Sequence, residues 1–401
     1  MFRTPSARHR FFLLVAALAL IHIGCFAVIY FPYAQHGYSD FTIFYTAGKI
    51  ATTGQAANLY QPETQWNIQQ QCCRVPIRQA PLLFNHAPYE ALLFAPLALF
   101  PYGIAYTAWF MANLGILLLI GFFLREYLAA LLPRWWLFPF AAIAWVPVFF
   151  ALVQGQDSLM LALFYTLTFV CIKRGLPFLA GACIAFASAK PQLALPFMLI
   201  FALRRQWKIV LGFLACGAGL TLVSIALIGR TPTTDYLGFL VHFSRLPVDL
   251  SAAEPFRMPN LRGLILRAMD FGFARPAQTV VIAAASALVI WWAVRFKASV
   301  EEVFAMALGA TLLASYHLYS HDLTLLLVAV ILFTGRVQAR RNVHLLVAVA
   351  TIPWFLLVLV LYLTGQNLLS VYAISILAFC AALSVNATAE RSGTRHVTAS
   401  T

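Results

Sequence analysis

The strongest constraint on this chain is a succession of apolar runs long enough to cross a lipid bilayer. Phe11 to Phe31 contains no Asp, Glu, Lys or Arg, and crossing a hydrocarbon core about 30 Å thick takes roughly 20 such residues. Further runs read as spans at 103–124, 135–153, 157–172, 207–228, 277–296, 302–316, 322–335, 343–363 and 368–386. Charged residues make up 10% of the chain and apolar ones 62%, where soluble domains average about 25% and about 45–50%. So few charges cannot cover a globular surface. The solvent for most of this chain is lipid.

The net charge of +14 has the sign of a nucleic-acid binder, but such a protein gathers its cations on one solvated face. Here they fall in short groups between apolar runs: Arg3, Arg8 and Arg10; Lys173 and Arg174; Arg204, Arg205 and Lys208; Arg336, Arg340 and Arg341. That is the pattern of cytoplasmic loops. The first run lacks a small-residue cleavage site and reads as an uncleaved helix entering from the cytoplasm. Leu176 to Leu203 is one long apolar run interrupted by Lys190-Pro191. A single crossing there puts every later basic group outside, whereas a hairpin broken at the proline keeps them inside.

The expected fold is an all-α polytopic membrane protein with about ten full transmembrane helices plus a broken helical hairpin, both termini cytoplasmic. It reads as a single domain over 1–390, with outer loops at 32–89 and 229–276 and a disordered cytoplasmic tail at 391–401. In the first loop, Asp40 to Lys49 reads as a short amphipathic helix. Its Phe41, Phe44 and Tyr45 share a face suited to the membrane surface. Cysteine adds little: five of seven lie in apolar runs, and the adjacent Cys72 and Cys73 have no metal-ligand spacing.

This orientation collects the unusual polar residues on the outer side. Asp40 opens the amphipathic helix, and two roles are open to it: N-cap, or general base on a hydroxyl at the membrane surface. Lys190 sits within an apolar run, where a lysine faces a partner or a cavity, snorkels to an interface, or meets a phosphate. His317, His321 and Asp322 lie between two spans. The two histidines are four apart and share a face if helical, but no HExxH or other ligand set is present and no metal is assigned. Arg257, Asn260, Arg262 and Arg267 fall in or near the second outer loop, where cations run against the positive-inside trend; anionic ligands and lipid headgroups both account for them. His86, Gln154 and Gln156 are weaker candidates, equally readable as structural hydrogen-bonding groups. No GxxxxGK[ST] motif appears, so neither a nucleotide nor a resident cofactor is expected.

Taken together these residues resemble a known family. Asp40-Phe-x-x-Phe-Tyr-x-Ala-Gly with Gly54 and Leu59-Tyr60, then Ala95 to Pro101 with Trp109, Gln154-Gly155-Gln156 with Leu159, Ala180-Gly181 leading to Lys190-Pro191 and Arg204-Arg205, and Ser315 to Asp322 are similar in order to a bacterial membrane glycosyltransferase family. That family belongs to the C-type (GT-C) superfamily, uses polyprenyl-phosphate sugars and includes α-1,2-mannosyltransferases of phosphatidylinositol mannoside synthesis. The resemblance spans about residues 38–335. It implies a GT-C-like fold, Asp40 as catalytic base, and Lys190, His317 or His321 at the donor phosphate. Tyr45, His86, Gln154, Gln156, Arg257, Asn260, Arg262 and Asp322 are weaker substrate-binding candidates. The chain departs from the family at Asn260-Leu261-Arg262 and at Asn85 to Pro88, positions that bear on the sugar and acceptor pocket.

The resulting expectation is inverting transfer of a mannose-like hexose from a polyprenyl-phosphate donor to a lipid or glycan acceptor. It places the reaction at the outer face of a bacterial cytoplasmic membrane. The alternatives are a transporter or flippase for a lipid-linked or anionic substrate, against which no internal repeat is found, and a polymerase or ligase using a diphosphate-linked donor.

Overall fold

The computed structural model describes residues 5–73, 80–129, 131–242, 255–269, 275–336, 356–357, 360–361, 363–364 and 367–398. Within them the chain is helical, with no strand. The helices that matter for the site are α1 (Pro5–Cys25), α2 (Phe41–Thr52), α3 (Pro88–Phe94), α4 (Tyr102–Phe123), α5 (Phe138–Ile143), α6 (Val146–Gln154), α7 (Ser158–Lys173), α8 (Pro177–Phe186), α9 (Pro191–Leu203), α10 (Trp207–Leu227), α11 (Leu261–Met269), α12 (Arg275–Arg295), α13 (Val300–Ala314), α14 (Thr324–Arg336) and α15 (Tyr372–Thr398).

The membrane reading stands, while the expected ten full crossings are matched only in part among the described residues. Among the described residues five helical stretches are long and apolar enough to cross a membrane: Phe12–Thr52, Tyr102–Phe123, Trp207–Leu227, Pro276–Arg295 and Leu369–Thr388. A sixth exists if α5 and α6, with the turn Trp135–Leu137 that leads into α5, form one span bent by 80°. The expected span at 343–363 lies largely outside the described residues. Four further helices are apolar but only 10–17 residues long: Ser158–Lys173 and Ser320–Gly335, which answer to the expected spans 157–172 and 322–335, and Pro177–Ala189 and Pro191–Leu203, which answer to the expected hairpin. At about 1.5 Å per residue such helices fall short of a 30 Å core. Each of the four has one end beside Asp157, Lys190 or Asp322. They are short because they stop at a polar floor sunk into the bundle. The last helix, α15, runs to Thr398.

Two proline breaks shape this arrangement. Pro147 at the start of α6 has no N–H, so the carbonyl of Ile143, four residues earlier, loses its helical partner. His22 of α1 supplies the missing donor: its Nδ1 lies 2.7 Å from Ile143 O, and its ring stacks on Phe149. The second break is the expected one. α8 ends, a single 3-10 turn covers Ala187–Ala189, and α9 begins at Pro191 with Lys190 between them. Both halves touch α10, but otherwise they take different neighbours, α8 packing on α7 and α9 on α12 and α13. α8 and α10 meet backbone to backbone, since a methyl group at Gly181 would strike Ile209 O and one at Gly212 would strike Phe178 O.

α13 is the axis of the bundle. It is buried from Glu301 to Leu313, apart from Val303, as expected of a helix that is apolar on every side. A capping box starts it, with Ser299 Oγ accepting from Glu302 N and Glu302 returning to Ser299 N. α2 departs from expectation. Phe41, Phe44 and Tyr45 do not lie on a membrane surface; all three are buried in an aromatic cluster with Phe94, Tyr102, Tyr106 and Trp109. Gly48 lets α2 lie directly on the end of α3, because a Cβ there would come within 2.6 Å of Phe94 O. The amphipathic face exists, but protein covers it instead of lipid.

Candidate active site

The site is organised by the turn Gln154-Gly155-Gln156-Asp157 between α6 and α7. Gly155 takes φ 60°, the left-handed conformation glycine favours at a helix C-terminus, and Gln156 N closes the turn on Ala151 O at 2.9 Å. α4 clamps it from behind: Trp109 Nε1 donates to Gly155 O (2.9 Å) and Tyr106 Oη to Val153 O (2.9 Å). A Cβ at Gly155 would strike Phe41, so the turn also seats the start of α2. The aromatic packing of α2 and α4 thereby fixes where four successive polar side chains point.

Each of those side chains reaches a different part of the molecule. Gln154 Oε1 meets His321 Nδ1 at 2.9 Å. Gln156 Nε2 donates to Asp40 Oδ2 at 2.8 Å. Asp157 Oδ1 lies 2.8 Å from Lys190 Nζ. Ser158 Oγ donates to Asp322 Oδ1 at 3.0 Å. Lys190 is the hub of this floor: 2.8 Å from Asp322 Oδ1, 3.2 Å from Ser158 Oγ and 3.5 Å from Gln156 Oε1. Asp322 also accepts from Tyr319 N at 3.0 Å.

Above this floor is a cavity of about 390 Å³. Asp40, His86, Gln154, Gln156, Lys190, Arg257, His317, His321 and Asp322 all line it, so most of the residues singled out in the sequence do come together. Leu361 and Leu369 form part of its wall. Asp40 is not a side-chain cap: it precedes α2, but its carboxylate makes no capping hydrogen bond. It is half-buried and turned to Gln156. Burial lowers the His317 imidazole to about 4, with Arg262, Lys190 and His321 adding to the effect and Asp322 opposing it. His317 is therefore neutral at pH 7 and offers hydrogen bonds in place of charge.

Four candidates fall outside the cavity lining, among them Arg267, which donates to Ser370 Oγ at 2.8 Å. Tyr45 donates to Phe100 O at 2.8 Å from within the aromatic cluster. Asn260 pins α11 to the end of α13, donating to Ser315 O (2.7 Å) and accepting from Gly263 N (2.9 Å). Arg262 donates to Tyr316 O at 2.9 Å with its guanidinium over the Tyr316 ring. These are structural contacts. Lys190 does line the cavity, but its three N–H groups are already within reach of Asp157, Asp322 and Ser158.

Sequence reasoning missed Asp157, Ser158 and Glu90 as site residues. Glu90 is buried on α3 beside His86, with Nδ1 2.7 Å from Oε2. Burial raises the Glu90 carboxyl; burial alone would lower His86, but Glu90 and Asp157 outweigh it and raise the imidazole. The available signal was a lone acid inside an apolar stretch, at Asp157 and again at Glu90.

A family model described as Glycosyltransferase family 87 matches residues 84–318, more than half of the chain. The chain belongs to glycosyltransferase family 87. No curated protein and no solved structure matches it. The glycosyltransferase match takes in the Gln154–Asp157 turn, Lys190, Arg257 and His317, but not Asp40 or Asp322. Asp40 joins the site through geometry, by way of Gln156.

Proposed function

We propose that this glycosyltransferase moves a mannose-like hexose from a polyprenyl-phosphate donor to a lipid or glycan acceptor, inverting the anomeric centre, at the outer face of the cytoplasmic membrane. The observation that carries the reading is the placement of Asp40. It is a half-buried carboxylate on the cavity wall with one hydrogen-bond partner among the described residues, the Gln156 amide. Gln156 Oε1 faces Lys190 Nζ at 3.5 Å, which fixes the amide so that its N–H₂ points at Asp40. A carboxylate so oriented, with lone pairs left over, is equipped to take a proton from an acceptor hydroxyl as that oxygen attacks the anomeric carbon.

The leaving group already carries negative charge and needs fixed positive charge and hydrogen-bond donors in place of a general acid. Arg257 and the neutral His317 on the cavity wall serve as phosphate contacts, with His321 held in position by Gln154. Lys190 contributes its field from the floor, since its N–H groups are engaged by Asp157, Asp322 and Ser158. The polyprenyl chain lies along the apolar wall that includes Leu361 and Leu369.

Asp40→Asn tests this directly. The isosteric amide keeps the fold but cannot accept the proton, and transfer from a radiolabelled polyprenyl-phosphate sugar falls by on the order of 10²–10⁴-fold with an unchanged melting temperature. Normal turnover in that variant would remove Asp40 from the mechanism. A chain that instead translocates the labelled lipid without releasing polyprenyl phosphate is a flippase.

A further inference from the structure

At and beneath the cavity wall, three side chains from two segments of the chain bring metal-ligating atoms together. His86 comes from the loop before α3, Glu90 from α3 itself, and Asp157 from the turn before α7. His86 Nδ1 is 2.7 Å from Glu90 Oε2 and 3.6 Å from Asp157 Oδ2, and one ligand atom from each residue lies within 4.8 Å of the other two. A dication with metal–ligand bonds of about 2.1 Å holds neighbouring ligand atoms roughly 3–3.5 Å apart. The observed separations bracket that spacing.

The second observation is that each of the two carboxylates keeps one buried oxygen without a partner. Glu90 is 1% exposed and Asp157 is 0%. Glu90 Oε1 and Asp157 Oδ2 have no hydrogen-bond partner among the described residues, while Glu90 Oε2 is paired with His86 Nδ1 and Asp157 Oδ1 with Lys190 Nζ. Buried polar atoms in this state are costly and call for a partner. Charge points the same way. Three fully buried carboxylates, Glu90, Asp157 and Asp322, face one buried ammonium, Lys190. With Glu90 ionised and His86 neutral, two negative charges are left over in a low-dielectric interior, which one dication neutralises. The His86 ring is held for the task between the rings of Phe84, stacked on it, and Phe44, edge-on to it.

We infer that His86, Glu90 and Asp157 bind one divalent cation of the Mn²⁺ or Zn²⁺ class, an imidazole with two carboxylates favouring such ions over Mg²⁺. Glu90 and Asp157 do not line the cavity. The ion therefore ties the Gln154–Asp157 turn to the first outer loop and fixes the floor on which Lys190 rests, without touching the substrate. Two protons, one each on His86 and Glu90, are the competing way to balance the same charge. The inference stands whether or not Asp40 is the base.

The test uses the full-length protein purified in detergent, stripped with chelator and reloaded with MnCl₂ or ZnCl₂. Elemental analysis is expected to find about one dication per chain, and the melting temperature to fall by several degrees on stripping and recover on reloading. With Mn²⁺ bound, electron spin-echo modulation should show one imidazole nitrogen, lost in His86→Gln, and Glu90→Gln should lower metal content at least tenfold. A wild-type protein that takes up no stoichiometric Mn²⁺ or Zn²⁺, with a melting temperature indifferent to chelator, overturns the inference and leaves the proton-balanced network in its place. Full metal content in folded His86→Gln and Glu90→Gln proteins overturns it too, by putting the ion elsewhere.

Discussion

Asp40 and Asp322 stand on the wall of the same cavity, yet they are held in opposite ways. Asp322 is 2% exposed and takes hydrogen bonds from Lys190, Ser158 and the Tyr319 backbone. Asp40 is half-buried and takes one, from Gln156. A carboxylate with three donors is stabilised as the anion and has no reason to accept a proton. A carboxylate with one donor and access to the cavity keeps that capacity. On the proposed function the floor of the site supplies rigidity and its rim the chemistry. That separation predicts that changes in the floor are read in stability and changes at the rim in turnover.

The largest effect should come from the floor. Lys190→Met leaves Asp157 and Asp322 buried without their counter-charge, and losing one partner of a buried ion pair costs about 3–5 kcal/mol. The variant should be poorly folded or melt many degrees lower by differential scanning fluorimetry. Replacing Asp322 by Asn in the same chain should recover part of the loss. If Lys190 served only as a phosphate ligand, Lys190→Met would keep its melting temperature and show a raised donor KM. That result would collapse the distinction between floor and rim.

A rim change should do the reverse. Gln156→Leu removes the amide that orients Asp40 but no member of the ion pairs. Loss of orientation at a reacting group costs on the order of 10–100-fold, so kcat should drop by that factor with donor KM unchanged and the melting temperature nearly so. Restoration by Gln156→Asn at part of the wild-type rate would identify the amide donor as the working part. A drop in melting temperature as large as that of Lys190→Met would show that Gln156 belongs to the floor.

Much of this division could be read from the chain before folding, and the reasons it was incomplete are physical. The break at Lys190-Pro191 was visible because proline and a buried cation interrupt an apolar run. The break at Pro147 was equally written, yet the run 135–153 is apolar on both sides of it; hydropathy records composition and is blind to an 80° bend. For the same reason hydropathy reads the short helices at 157–172 and 322–335 as full crossings. Asp40 was found by its position after the first span, but whether it capped α2 or faced a cavity depended on Gln156, which is 116 residues away. Glu90 and Asp157 escaped because an isolated acid next to apolar residues acquires meaning only from the lysine or histidine that folding puts beside it. The face of α2 was read correctly as apolar, while its cover was not, since a sequence pattern does not distinguish lipid from Phe94 and Tyr102.

The smallest effect concerns His317, which sits where rim and floor meet. Burial, aided by Arg262, Lys190 and His321 and opposed by Asp322, holds its folded pKa near 4, against about 6.5 in an unfolded chain. Between those values the unfolded state binds a proton that the folded state refuses, so stability rises with pH through this window. The contribution is complete above pH 6.5 and is lost as pH falls toward 4. From pH 7 to pH 6 the loss from this group is on the order of 0.5 kcal/mol. His317→Gln cannot titrate, so its melting temperature should fall less than the wild type's over that interval, whatever its absolute value. The change in melting temperature with pH is the readout, because a lost hydrogen bond would shift both ends equally. An identical slope in the two proteins would mean that His317 is solvated like an ordinary surface histidine. It would then meet a donor phosphate as a cation at mildly acid pH, and the rim would carry charge where this structure gives it only hydrogen bonds.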